Sequence, residues 1–370
     1  MRMSKFTNKY RFLFAGGGTG GHLFPAIAVA NELKKLNPHS EILFVGSKFK
    51  IEGRVLPKLG YKLKHISVRG FDRKISVRLL LFPFYLIISL LQSLLIVIKF
   101  NPKVSVGTGG YISGPAIWAS SILGTKIILI EPNSYPGITT RLLEKYADEI
   151  HISYEYSKKF LRRRNILKLT GNPTRFDFNK LDKKLSLSQF GLSETKRTLL
   201  VLGGSLGAKS INIAIENCLD DIINNQIQII WQVGKNYLEY YKKFNSKECL
   251  VFDFIENINE AFSASDLVIA RAGASTISEI ALLGLPAILV PSPNVAENHQ
   301  YHNAKALVEN NAALLVNDEK LNEDLFSTIK RLIFDDNQLN ILSTNIKKFS
   351  KPDASYLIAK SALKLAEEFC

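Results

Sequence analysis

Tyr10-Arg11-Phe12-Leu13-Phe14-Ala15-Gly16-Gly17-Gly18-Thr19-Gly20-Gly21-His22 reads as a short apolar strand running into a glycine loop. The pattern predicts a helix over Phe24–Leu36 and a second strand over Glu41–Val45. The plan returns at Thr198–Leu202, where a strand runs into the small-residue loop Gly203–Ala208 and then a helix. Further strands are predicted at Ile227–Gln232, Leu250–Phe252, Leu267–Ala270 and Ala287–Val290, with helices between them. Continuous apolar strands separated by helices are buried on both faces, which is the pattern of parallel sheets. The expected fold class is α/β: two Rossmann-like doubly wound parallel-sheet domains, 1–171 and 172–349, divided near the turn residues Gly171-Asn172-Pro173. Ligands of such sheets meet the carboxyl ends of the strands, so a cleft shared by the two domains is the expected site.

With 370 residues, 46% of them apolar and 22% charged, the chain is long enough for two globular domains and too apolar for a disordered one. Cys218, Cys249 and Cys370 lie far apart, which excludes a disulfide scaffold and a paired-cysteine zinc site. Residues 1–9 are polar, so no signal peptide is read there. The net charge of +15 is unevenly placed: residues 1–170 hold 27 Lys and Arg against 9 Asp and Glu, whereas the remainder is slightly acidic. A one-sided basic surface fits an anionic partner, either nucleic acid or lipid. Leu79–Ile98 is almost wholly apolar, with Arg69, Arg73, Lys74 and Arg78 before it and Lys99 after it. Its length would allow a membrane span, but a span would separate strands that should share one sheet. The expectation is a helix lying against an anionic membrane surface, with a buried core helix as the alternative.

Gly16, Gly18 and Gly21 make a G-x-G-x-x-G, a pattern that brings backbone N–H groups and a helix N-terminus to a phosphate. A nicotinamide dinucleotide would need an acid at the end of the second strand, which here reads Val45-Gly46-Ser47-Lys48. Three more small-residue loops follow strands: Gly107–Pro115, Gly203–Ala208 and Arg271–Thr276. Two such loops per domain point to a phosphate-rich ligand and a second polar ligand. No His, Cys, Asp and Glu cluster has metal-ligand spacing, and no bound metal or other cofactor is expected.

Several motifs then recur in a fixed order. They are Gly17–His22 with Pro25, Gly109–Pro115, Gly171–Arg175, Gly203–Ala208, Phe254-Ile255, Arg271–Glu279, and His299-Gln300 with Asn303. In this combination the sequence resembles the MurG family, the UDP-N-acetylglucosamine transferases of peptidoglycan synthesis. The resemblance implies the GT-B architecture, with a helix at about 350–370 crossing back to the first domain. It implies an inverting, metal-independent transfer of N-acetylglucosamine (GlcNAc) from UDP-GlcNAc to the muramyl 4-hydroxyl of undecaprenyl-pyrophosphoryl-MurNAc-pentapeptide, converting lipid I to lipid II. It also implies a peripheral protein on the cytoplasmic face of the bacterial inner membrane, with other cell-wall synthesis proteins as further partners.

The resemblance assigns the general base to His22, whose ordinary pKa lies near neutrality; the alternative is a histidine that only orients its loop. UDP-GlcNAc would meet Thr19, Gly20, Gly21, Asn133, Arg175, Ser205, Ile255, Ala274, Ser275, Thr276, Ile277, Ser278, Glu279 and Gln300. In this set Arg175 serves the pyrophosphate, Glu279 the ribose hydroxyls and the Ile255 backbone the uracil. Gly109, Gly110, Tyr111, Glu131, Phe254, Arg271, His299 and Asn303 would meet the acceptor or support the site. The chain departs from the family pattern at Ile130, Pro132, Thr140 and Leu206. An RNA-binding protein would interleave its basic runs with stacking aromatics, which runs 69–78 and 158–164 barely do, so no nucleic-acid partner is expected. A related GT-B lipid galactosyltransferase is the nearest enzymatic alternative; it differs in its acceptor, which the sequence specifies least well.

Overall fold

A computed structural model of the chain describes residues 8–68, 82–174, 182–204 and 206–368. Arg69, Arg73, Lys74, Arg78, Arg175, Ser205 and Cys370 lie outside these described residues, as do residues 79–81 of the apolar stretch. The chain divides into two compact units. Unit 1 is Met1–Arg175 with Lys351–Cys370, and unit 2 is Phe176–Ser350.

Unit 1 begins with β1 (Arg11–Ala15), α1 (Gly20–Leu36), β2 (Glu41–Gly46), α2 (Ile51–Lys58) and β3 (Lys62–His65). It continues through α3 (Phe82–Phe100), β4 (Val104–Gly107), α4 (Ser113–Ile122), β5 (Lys126–Glu131), α5 (Ile138–Leu143), β6 (Glu149–Ile152) and β7 (Leu167–Leu169). The strands form one parallel sheet in the order β3-β2-β1-β4-β5-β6-β7. Alternation along β1 divides the core. Phe12 and Phe14 pack with α1 on one face, while Leu13 and Ala15 pack with Ala116, Ile117 and Ala119 of α4 on the other. The first helix starts at Gly20 rather than at Phe24. Thr19 is extended (φ −139°, ψ 162°) and its carbonyl accepts the N–H groups of His22 and Leu23, so the glycines form the first turn.

Helix α3 is a crossover joining β3 and β4, two strands of the same sheet. It is long and apolar enough to cross a membrane by length and composition. Its orientation is inverted relative to an ordinary surface helix. Ser89, Ser93 and Val97 are buried, whereas Phe84, Ile87, Leu91, Leu95 and Ile98 are each more than half exposed. Their spacing of three and four residues places the exposed side chains on one stripe.

Unit 2 contains α6 (Lys183–Gln189), β8 (Arg197–Leu202), α7 (Lys209–Asn217), α8 (Leu219–Asn224), β9 (Ile227–Gln232) and α9 (Leu238–Tyr241). These are followed by β10 (Cys249–Phe252), α10 (Ile258–Ala264), β11 (Leu267–Ala270), α11 (Ala274–Leu283) and β12 (Ala287–Leu289). The unit closes with α12 (His299–Val308), β13 (Leu314–Leu315), α13 (Leu321–Ile333) and α14 (Asp336–Lys347). Its parallel sheet runs β10-β9-β8-β11-β12-β13.

The chain then returns to unit 1 as α15 (Ala354–Glu368), whose Ile358, Ala359, Ala362, Leu363 and Ala366 share a core with α1 and β1. A polar joint fixes its far side. Glu149 of β6 accepts from His151 Nε2 at 3.1 Å, from Lys168 Nζ at 2.5 Å and from the Ser361 hydroxyl of α15. Burial alone would raise the Glu149 pKa, but these three hydrogen bonds outweigh it and bring it down to about 2. Burial lowers the pKa of His151, which is 1% exposed. In both cases the unfolded chain takes up protons more readily, so the joint stabilises above the unfolded pKa values and loses that stability as pH falls. The loss begins near the unfolded histidine value, about 6.5, and the Glu149 share disappears between pH 4.5 and about 2. Glu149→Gln should lower the melting temperature of this unit at pH 7 by roughly 5–10 °C and flatten the acid limb. An unaltered acid limb in melting curves would remove Glu149 from this role.

Candidate functional site

Each sheet has a switch point where neighbouring strands send their crossovers to opposite sides, and in each the small-residue loops lie there. In unit 1 the loops after β1 and β4 are neighbours, because β1 pairs with β4. They are clasped together. Thr108 Oγ1 donates to the His22 carbonyl at 2.6 Å, and His22 Nδ1 lies 2.9 Å from the Thr108 carbonyl. A carbonyl can only accept, so Nδ1 carries the proton and Nε2 of the neutral ring carries the lone pair. The imidazole packs on Gly109 and Gly110, whose φ values are +90° and +74°. A Cβ on Gly109 would stand 3.0 Å from His22 Nδ1, so the close approach requires glycine.

Tyr111 is 36% exposed and its ring covers the first loop; a Cβ on Gly18 would lie 3.7 Å from its hydroxyl. Burial raises the Tyr111 pKa, and the charge of Glu52 raises it further, so its O–H is a donor at neutral pH. Thr19 is exposed, and its hydroxyl makes no capping bond to the helix. Thr19, Gly20, Gly21, His22, Gly109, Gly110 and Tyr111 are thus brought together.

Glu131 ends β5, one strand further along. Its buried carboxylate accepts from the Asn133 N–H (3.0 Å), Asn133 Nδ2 (3.1 Å) and the Gly137 N–H (3.0 Å). Burial raises its pKa, while Thr140, Asn133 and Gly137 pull it back as donors. Glu131 therefore organises the 132–137 loop from within. Asn133 directs its amide to Glu131, and the departure at Thr140 supplies a hydroxyl to the same carboxylate.

In unit 2 the loops after β8 and β11 flank the switch point. Helix α11 starts at Ala274 immediately after Gly273, so Ala274, Ser275 and Thr276 form its first turn. The Ser275 hydroxyl is buried and has no hydrogen-bond partner among the described residues. An orphaned hydroxyl at a helix start is suited to a ligand oxygen. Ile277, Ser278 and Glu279 continue the helix; Ser278 bonds back to the Ala274 carbonyl, and Glu279 is only 8% exposed.

Arg271 is a clamp. Its guanidinium donates to Asp318 Oδ1 (2.5 Å), Ser210 Oγ (2.8 Å) and the Val290 and Pro291 carbonyls (both 3.3 Å). Asn303 is fully buried and donates to the Ala272 carbonyl, bracing the same loop. Gln300 Oε1 accepts the Ser292 N–H at 2.9 Å, and His299 opens α12 beside it. The Ile255 N–H is donated to Gln232 Oε1 at 3.0 Å. Ile255 and the half-exposed Phe254 form one wall of a pocket of about 530 Å³, with Phe190, Phe252 and Asn257 among its other residues. Among the described residues, no group of three or more His, Cys, Asp and Glu could hold a metal ion.

Two doubly wound units with small-residue loops at both switch points are the architecture of GT-B glycosyltransferases. The N-terminal domain of glycosyltransferase family 28 matches residues 12–152, and the C-terminal domain of that family matches residues 198–358. The crystal structure of Acinetobacter baumannii MurG superposes with a TM-score of 0.73 at 25% identity, covering 96% of this chain and 99% of that one. The UDP-N-acetylglucosamine–N-acetylmuramyl-(pentapeptide) pyrophosphoryl-undecaprenol N-acetylglucosamine transferase of Flavobacterium psychrophilum is 44% identical over 97% of this chain and 98% of its own length. The enzyme of the same name from Parabacteroides distasonis is 42% identical over 97% and 99%. The chain belongs to glycosyltransferase family 28 and, within it, to the family of these N-acetylglucosamine transferases.

Sequence reasoning missed Glu52. It looked for an acid at the end of β2, whereas the acid comes in the first turn of the next helix, fully buried. One signal was available: Glu52 and Asp72 are the only acids between Glu41 and Glu131.

Proposed function

We propose that the chain transfers N-acetylglucosamine from UDP-GlcNAc to the muramyl 4-hydroxyl of an undecaprenyl-pyrophosphoryl muramyl-pentapeptide, with inversion. The observation that carries this reading is the His22 tautomer: Nδ1 is committed to Thr108, and Nε2 holds the lone pair a base needs. As the acceptor O4–C1 bond forms, the bond from C1 to the UDP phosphate breaks and its electron pair leaves with UDP. The O4 proton passes to His22 Nε2. The phosphate charge is met by Arg175 and, from unit 2, by Ser205, the Ser275 hydroxyl and the N-terminus of α11. Glu279 accepts from the ribose hydroxyls. The uracil lies against Phe254, with the Ile255 carbonyl as its acceptor, since the Ile255 N–H is spent on Gln232. Gln300 and His299 serve the sugar. The decisive assay incubates the protein with UDP-GlcNAc and a lipid-linked muramyl-pentapeptide analogue. The expected product is the inverted disaccharide, and UDP-GlcNAc binding without that product would sink the reading.

Glu279→Ala should weaken UDP and UDP-GlcNAc alike by roughly 10–100-fold, the value of one or two charge-assisted hydrogen bonds. Unchanged UDP affinity in calorimetry would remove Glu279 from the ribose.

We infer further that the protein docks on the cytoplasmic face of an anionic membrane through α3. A polyprenyl acceptor cannot leave the bilayer, and a stripe of five large exposed apolar side chains on one helix is suited to lipid. The basic excess of residues 1–170 adds electrostatic attraction.

A further inference from the structure

The Glu52 carboxylate is fully buried in the first turn of α2. Oε2 accepts the Gly18 N–H at 2.9 Å, and Oε1 accepts the Ser47 N–H at 2.8 Å. Two glycines make room for it. A Cβ on Gly17 would stand 2.7 Å from its carboxyl carbon, and one on Gly46 would stand 2.7 Å from its Cγ. Glycine loops of this kind ordinarily present their N–H groups to a ligand phosphate. Here the chain bonds one of those groups to its own carboxylate. The same loop is gripped at its two ends by Thr108, which touches Gly16 and bonds to His22. Glu52 holds the middle.

We propose that Glu52 is a positioning residue: its carboxylate ties the Gly18 N–H to the Ser47 N–H and so fixes the loop that carries His22. This inference rests on the proposed role of His22.

Glu52→Gln preserves the shape but turns one acceptor into an NH₂ group facing a backbone N–H. Its kcat should fall roughly 10²-fold, the usual penalty for slight misplacement of a reacting group. The KM for UDP-GlcNAc and the calorimetric affinity for UDP should stay unchanged. Glu52→Ala should be slower still, and added formate, filling the vacated space, should restore its turnover about tenfold at the level of a recovered charge-assisted contact. Normal kcat in Glu52→Gln, or a loss confined to the UDP-GlcNAc KM, overturns the proposal. So does a folded Glu52→Ala that formate does not affect; if that variant does not fold, Glu52→Gln decides. Normal turnover in His22→Asn would remove the base and leave Glu52 to be judged on its own kcat. An inactive His22→Asn beside a normal Glu52→Gln would overturn the Glu52 proposal alone.

Discussion

Replacing His22 by alanine is expected to lower turnover by roughly 10²–10⁴-fold, the usual worth of a general base, while UDP-GlcNAc binds as before. Arg175 apart, the phosphate, ribose and uracil contacts proposed above lie in unit 2, so the loss should appear in kcat at saturating donor. Alanine also removes the imidazole half of the clasp with Thr108, and a second variant separates the two effects. Asparagine at position 22 can place its Nδ2–H where Nδ1–H stands, keeping the bond to the Thr108 carbonyl while removing the lone pair on Nε2. His22→Asn should therefore melt like the unaltered protein and still be slow. Near-normal turnover in His22→Asn, measured with saturating acceptor, would leave His22 with the clasp as its only task.

The double variant Ile87→Glu, Leu91→Glu should reduce binding to anionic vesicles by roughly 10²-fold. Each change removes about 1.5 kcal/mol of apolar burial in lipid and adds a repelled charge. Because these side chains point away from the core and more than half of each is exposed, folding should be spared. UDP affinity should not change. High salt should weaken vesicle binding of the unaltered protein by screening its basic surface. Vesicle sedimentation that is indifferent to both the two glutamates and salt would end the docking model for α3.

The alternation of strand, small-residue loop and helix was legible because the central strands of both sheets are buried on both faces and so are continuous apolar runs, whereas an edge strand such as β3, Lys-Leu-Lys-His, is mostly exposed and carries no such signal. The family motifs pointed to His22 and to the α11 turn for the same reason: loops that approach a ligand closely must be small. Other features depend on contacts remote in sequence. Nothing near Arg271 announces that its guanidinium is held by Asp318, 47 residues away. Nothing near Glu52 announces Gly18, 34 residues before it. The apolar composition of α3 was plain, but its inversion was not. Ser89 and Ser93 look like solvent-side residues until their burial is seen.

Because α15 belongs to unit 1 but follows unit 2 in the chain, the two halves cannot mature in the order in which they are translated. Unit 2 is one uninterrupted segment, Phe176–Ser350, able to close as soon as it is made. The earlier half waits, with the core around α1 incomplete, until Ile358–Ala366 arrives. At about 5–20 residues per second, that wait lasts roughly 10–35 s. A nascent chain with an open apolar face for so long is a natural client for a holding chaperone. A ribosome stalled shortly before position 354 should release a finished donor half attached to an unfinished acceptor half.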